Sequence, residues 1–186
     1  MDAIIGNRVE KTFVPMRNAL FLTLAANRAV CDGIRYLYTG VCEADNANYP
    51  DCRESFIQAQ QEAINQALGY PFADPRHIRI LTPLMNLSKP KAVAKFFQEP
   101  NFAVMALTHT AYDGSYPPVG NDHATVLRAQ GFLDAGVPDP LVIRANRESL
   151  MLLPDTSNYA DQALNSKIAA DVARVLAVVH SAKVTA

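Results

Sequence analysis

The side chains with the most reactive chemistry are three cysteines, Cys31, Cys42 and Cys52, and a scatter of histidines and carboxylates further along the chain. Cys52 is expected beside a helix N-terminus, where a thiol ionises more readily, but no histidine follows at a spacing that would make a nucleophile and base. An odd number of widely spaced cysteines is no disulfide framework, and without a CxxC pair there is no thiolate metal motif. All three are read as reduced, partly buried thiols of a cytoplasmic protein. His109, Asp113, Asp122 and His123 carry ligating atoms, yet their spacing fits no standard metal motif, and Asp122 is more simply a helix cap. Next to Cys52, Asp51 is placed to cap a following helix, with Glu54 three residues on. No catalytic residue and no metal site is assigned from these residues.

The elements that would position these groups alternate in type. Residues 1–14 are expected irregular and then extended, ending at Val14-Pro15. Proline suits the first turn of the helix that follows, whose buried face is expected to carry Leu20, Leu24, Ala25 and Ala29. Residues 34–41 are β-branched and aromatic enough for a strand, placed inside a sheet. A polar loop over residues 43–50 leads to a helix from Asp51 to about Leu68. A short strand is expected over residues 77–81, then a helix from Lys89 to about Gln98 capped by Ser88, an apolar run over 102–107, and a helix from Asn121 or Asp122 ending at Gly136. Such alternation suggests a parallel α/β sheet. After Pro138-Asp139-Pro140 come a short apolar run, 150–153, a turn, and a helix from about Tyr159 to His180 with Leu164, Ile168, Val172, Val175 and Val179 on one face.

The chain has 186 residues, 49% of them apolar and 19% charged, with a net charge of -1. That length favours one domain with its own core. Neither sign of charge is concentrated, which argues against a nucleic-acid surface or a polybasic membrane surface. No apolar run reaches the ~18 residues of a spanning helix, and the N-terminus lacks the pattern of a signal peptide.

Several separated stretches resemble one family. They are Phe13-Val14-Pro15-Met16-Arg17-Asn18, Gly40-Val41-Cys42-Glu43-Ala44-Asp45, and Tyr49-Pro50-Asp51-Cys52-Arg53-Glu54-Ser55-Phe56. Further on come Pro83-Leu84, Leu87-Ser88-Lys89, Tyr112 with Gly114, Pro118 with Gly120, Arg128 with Gly131-Phe132, Ala135-Gly136 and Asp139-Pro140. In this order they resemble the 7-cyano-7-deazaguanine synthases of queuosine biosynthesis over about residues 10–141. The resemblance implies a Rossmann-like α/β sheet of the N-type ATP pyrophosphatase (adenine nucleotide alpha hydrolase-like) kind. It also implies an activity that uses ATP to activate the carboxylate of 7-carboxy-7-deazaguanine and ammonia to form the nitrile. By the same resemblance Arg17, Asn18, Tyr49, Asp51, Arg53 and Lys89 are the substrate- or nucleotide-binding candidates. A carboxylate suits the N–H edge of a deazaguanine, and an arginine suits a carboxylate substrate.

Two departures from the family pattern shape the expectation. The family's Ser-Gly-Gly-x-Asp-Ser phosphate loop precedes the Phe-Val-Pro stretch, and the twelve residues before Phe13 do not resemble it. The family's four zinc cysteines correspond here to Ala111, Val119, Asp122 and Thr125, none of them a thiolate. The expectation is an N-terminally truncated domain, residues 1–141, with a strand–turn–helix extension, residues 142–186, that brings an added C-terminal helix. Neither ATP nor zinc is expected to be bound by this chain. The leading function is a non-catalytic binding or assembly protein that keeps an affinity for a deazapurine. The alternatives are a subunit of the ATP-dependent synthase whose phosphate loop comes from another chain, and a structural component of a phage particle or filament. A homo-oligomer or a protein partner is expected to cover the truncated sheet, with no nucleic acid and no membrane involved. The location is the cytoplasm, or a virion if the gene is phage-borne.

Overall fold

The computed structural model describes residues 4–5, 9–10, 13–42, 49–111 and 113–184. Most of the polar loop expected over 43–50, the motif residues Glu43, Ala44 and Asp45, and Tyr112 lie outside them. The chain forms two compact units, residues 1–88 and 89–186. It is a mixed α/β protein with a small parallel sheet.

The first unit opens with β1 (Ile4–Ile5) and β2 (Val9–Glu10), which pair antiparallel. Helix α1 (Arg17–Cys31) follows a tight turn in which the Arg17 N–H donates to the Val14 carbonyl at 3.2 Å. Met16, with φ 65° and ψ 6°, occupies the left-handed position of that turn. Pro15 therefore belongs to the turn rather than to the first helical turn. The buried face of α1 is Ala19, Leu22, Ala26 and Ala29; Leu20 and Leu24 are 57% and 59% exposed, and Ala25 is exposed too. This corrects the expected face. Two apolar stripes share the helix, so periodicity could not choose between them, and packing selected the one with small residues. The helix ends on Gly33 at φ 66°, and the Ile34 N–H reaches back to the Ala29 carbonyl at 2.8 Å.

Strand β3 (Tyr36–Tyr38) pairs in parallel with β4 (Arg79–Leu81), in the register Tyr36 to Arg79 and Tyr38 to Leu81. The inner strand expected over 34–41 is thus three residues long, with Tyr36 and Tyr38 exposed. Helix α2 (Glu54–Leu68) closes the far edge of β4. The Asn65 side chain accepts from the Ile78 N–H at 2.8 Å and donates to the Ile78 carbonyl at 2.9 Å, and Gln61 Oε1 accepts from the Ile80 N–H at 2.8 Å. Side-chain amides thereby stand where a neighbouring strand would be, while β3 has no second ladder partner among the described residues. Leu22, Ala26, Ile57, Ile64, Ile78 and Ile80 make the core between helices and sheet.

The second unit carries α3 (Lys89–Phe97), α4 (His123–Asp134), α5 (Pro140–Arg147) and α6 (Gln162–Val184). The apolar run Phe102–Leu107 is a 3-10 helix whose Phe102 packs against Phe96, Phe97 and Phe132. Asp122 caps α4, and Gly136 at φ 66° follows its end. Residue 141, the expected limit of the domain, lies inside α5, and residues 142–184 pack within the second unit. The strand expected over 150–153 is not formed. Ser149 takes the left-handed position after α5, and the Leu150 N–H turns back to the Ala145 carbonyl at 2.9 Å, so the run begins as a helix cap. Helix α6 buries Ile168 and Val172, flanked by Leu164 and Val175, on the expected face.

Candidate functional site

Two of the expected site residues, Asn18 and Asp51, meet in the first unit. Pro50–Cys52 forms a single 3-10 turn before α2, with Asp51 and Cys52 buried. Asp51 does not cap α2, whose N-cap is Arg53 with no side-chain cap bond. Instead, Asp51 Oδ2 accepts from the backbone N–H of Asn18 at 3.1 Å. Asn18 is the second residue of α1, so a carboxylate 33 positions away satisfies one of the N–H groups that a helix start leaves open. The Asn18 side chain answers: Nδ2 donates to the Asp51 carbonyl at 3.1 Å and to Cys52 Sγ at 3.2 Å. Adjacent-sequence logic pointed Asp51 toward its own helix; the nearer unsatisfied donor belonged to another one.

This lock sets Arg17 beside Asn18 and Arg53 two positions after Asp51, at the starts of α1 and α2. Neither arginine side chain has a hydrogen-bond or ion-pair partner among the described residues. Tyr49 is half-buried, its ring 6.3 Å from that of Phe13. Lys89 belongs to the second unit as the first residue of α3, where a Cβ on Gly131 would stand 3.2 Å from the Lys89 Cβ.

Sequence reasoning missed the charged centre of the second unit. Arg128, 8% exposed, makes a two-pronged ion pair with Asp139, 3% exposed, at 2.5 and 2.8 Å. Two further N–H groups donate to Thr108 Oγ1 at 2.8 Å and to the Met105 carbonyl at 3.1 Å. Asp139 also caps α5 by accepting from the Leu141 N–H at 2.9 Å, and its own N–H donates to Tyr159 Oη at 3.3 Å. Burial, and then the Asp139 charge, push the Tyr159 phenol well above its usual range. The available signal was a charged residue on a helix face between Thr125 and Phe132.

The positions corresponding to the family's zinc ligands do not fit a metal. Ala111 is buried and Val119 is 64% exposed. Asp122 accepts from the Thr125 N–H at 3.0 Å, and Thr125 is buried in the first turn of α4. No group of three or more His, Cys, Asp or Glu among the described residues could hold a metal ion. None of the helices among the described residues is long and apolar enough to cross a membrane.

A family profile described as "Queuosine biosynthesis protein QueC" matches residues 2–136. The chain belongs to this family. It is similar to the 7-cyano-7-deazaguanine synthase of Gloeobacter violaceus, with 48% identity over 136 residues, covering 72% of this chain and 57% of that relative. The corresponding synthases of Chromobacterium violaceum and Laribacter hongkongensis are each 44% identical, over 138 and 133 residues, with 56% of each relative covered. The chain therefore spans little more than half the length of these relatives. Within the family match, the Asn18–Asp51–Cys52 lock joins two of the motif stretches that carried the resemblance.

Proposed function

We propose that this chain is a binding protein built on the family scaffold, holding an anionic deazapurine at the Arg17 and Arg53 face and not performing the ATP-dependent step by itself. One observation carries this reading: the Asn18–Asp51 lock joins two family motif segments, while neither flanking guanidinium group has a partner among the described residues. A free guanidinium can take a carboxylate through two parallel N–H bonds. The carboxylate of 7-carboxy-7-deazaguanine is such a group. Asp51 acts here as a positioning residue, its carboxylate engaged with α1. The lack of thiolates at Ala111, Val119 and Thr125 supports the non-catalytic part of the reading. When bound in the family, ATP supplies activation of the substrate carboxylate; none of the described residues is assigned to it, and no step is routed through it.

Titration calorimetry with 7-carboxy-7-deazaguanine tests the reading. Binding that weakens about tenfold in Arg53→Gln, one lost charged contact, is expected, with no nitrile formed on adding ATP and ammonia. Absence of binding, or nitrile formation by this chain alone, overturns it.

A second reading, a subunit that works with another chain, is favoured by the sheet. Beta strands in parallel pairs are ordinarily covered and extended. Here β4 is closed by Asn65 and Gln61, whereas β3 has no second ladder partner among the described residues, and Phe21, Leu24 and Tyr38 of the same unit are exposed. Light scattering during size-exclusion chromatography decides it: a single-chain mass at micromolar concentration with no captured partner refutes the subunit reading.

A further inference from the structure

One face of the small parallel sheet in the first unit is packed and the other is not. Leu37 pairs with Ile80, and both belong to the core that α1 and α2 cover. Successive side chains of a strand point to opposite faces, so Tyr36, Tyr38 and their register partners Arg79 and Leu81 turn the other way. Tyr36 and Arg79 are exposed, and Tyr38 is 71% exposed. Parallel sheets ordinarily bury both faces under aliphatic side chains. This second face carries rings and guanidinium groups instead. The Arg35 guanidinium lies 4.6 Å from the centre of the Tyr36 ring, and that of Arg79 lies 5.6 Å from the centre of the Phe72 ring. Phe72 is itself 76% exposed. Arg35 also donates to the Pro75 carbonyl at 3.2 Å and to Tyr36 Oη, which ties the strand start to the segment where Arg76 lies 4.4 Å over the Tyr70 ring. Arg76 is matched by Asp74 at 2.8 Å, whereas Arg35 and Arg79 have no carboxylate partner among the described residues.

We propose that this face binds single-stranded nucleic acid, with bases stacking on Tyr38 and Phe72 and phosphates meeting Arg35 and Arg79. A nucleotide strand repeats a planar base and an anionic phosphate, and the contacts run Arg35, Tyr36, Arg79, Phe72, guanidinium and ring in turn. An acidic peptide would answer the arginines and leave the rings exposed. A second copy of the chain would set like charges against each other. The order of charges along the chain does not announce the face, because Arg35 and Arg79 are distant in sequence. Strand pairing gathers them: the Arg79 N–H donates to the Arg35 carbonyl at 2.8 Å. The inference rests on neither reading of the Arg17 and Arg53 face.

The test is fluorescence anisotropy of the full chain with a labelled oligouridylate of about eight nucleotides, a length that one small domain covers. Saturable binding at low salt is expected. Two uncompensated arginines give a slope of about -1.4 in log affinity against log salt, a loss of about sevenfold between about 50 and 200 mM. Arg79→Gln is expected to halve that slope. Arg147→Gln, the same loss of charge at the exposed end of α5, is expected to leave it unchanged. Phe72→Ala is expected to weaken binding about tenfold, the size of one stacked base, with an unchanged melting temperature. Phe72→Trp, which keeps a stacking platform, is expected to restore it. No binding at low salt overturns the proposal, as does equal binding by Phe72→Ala or an unaltered slope for Arg79→Gln. An oligoglutamate of similar length bound as tightly as the oligouridylate assigns the face to an acidic protein and overturns it as well.

Discussion

Replacing Arg128 by methionine keeps the length of the side chain and deletes its charge at the centre of the second unit. The Asp139 carboxylate would then be left buried, 3% exposed, with the Leu141 N–H at 2.9 Å as its remaining described partner. The Thr108 hydroxyl and the Met105 carbonyl would each lose a guanidinium donor as well. Breaking one side of a buried pair typically costs about 3–5 kcal/mol, mostly because the surviving charge is uncompensated. For a unit of this size each kcal/mol moves the melting temperature by roughly 4–8 °C, so a fall of roughly 12–40 °C is expected. Thermal and urea unfolding followed by circular dichroism, with amide spectra reporting the second unit separately, measure the temperature and the free energy. The double variant Arg128→Met with Asp139→Asn removes the orphaned charge but leaves an oxygen for the Leu141 N–H. It should be more stable than Arg128→Met alone, which a simple loss of packing does not predict. A single variant within about 1 kcal/mol of the parent, below any buried-pair loss, would refute the reasoning, as would a double variant weaker than the single.

Asn18→Ala removes two side-chain hydrogen bonds, to the Asp51 carbonyl and Cys52 Sγ, and should cost about 1–2 kcal/mol in urea unfolding of the first unit. Ser149 sits at φ 60°, so Ser149→Gly should stabilise the second unit by about 0.5–1 kcal/mol, relief of left-handed strain outweighing added chain entropy; calorimetry showing destabilisation would count against that backbone. Tyr116 Oη donates to Glu148 Oε2 at 2.6 Å; that bond holds the Glu148 carboxyl below its usual range, while burial and then Glu148 push the Tyr116 phenol up to about 12. The Glu148 contribution is present above the ordinary carboxylate range and fades as pH falls through it, and the Tyr116 contribution is lost as pH rises from its ordinary value toward 12. Tyr116→Phe should flatten both limbs of a stability-against-pH curve, and unchanged limbs would dismiss the pair.

Where local chemistry alone decides, the sequence was readable. Asp122 caps the helix it precedes, Gly136 ends it, and the stripe from Leu164 to Val175 faces the core, because each depends on neighbours within a few positions. Reading failed where two local answers competed. Helix α1 has Leu20 and Leu24 on one stripe and Leu22 and Ala26 on another, and only contacts with α2 and the sheet select between them. Residues 150–153 are apolar enough for a strand, but the end of α5 captured the Leu150 N–H first. At the candidate site the motif residues were recognisable, yet Asp51 serves a helix 33 positions earlier, a partnership no local pattern encodes. Arg128 illustrates the same limit: its partner lies beyond the end of its own helix.

The bond from Asn18 to Asp51 also gives the first unit a built-in reporter of its assembly order. The Asn18 amide cannot be protected by α1 alone, since a helix supplies no acceptor for its second residue. Its exchange with solvent deuterium slows only once the Pro50–Cys52 turn has docked, a non-local contact across 33 positions that follows the local contacts of the helix. In pulse-labelling, amides in the middle of α1 should gain protection early and Asn18 late, with the lag timing the approach of the second helix to the first. The same amide should be the first of α1 to exchange when that contact opens in the native protein.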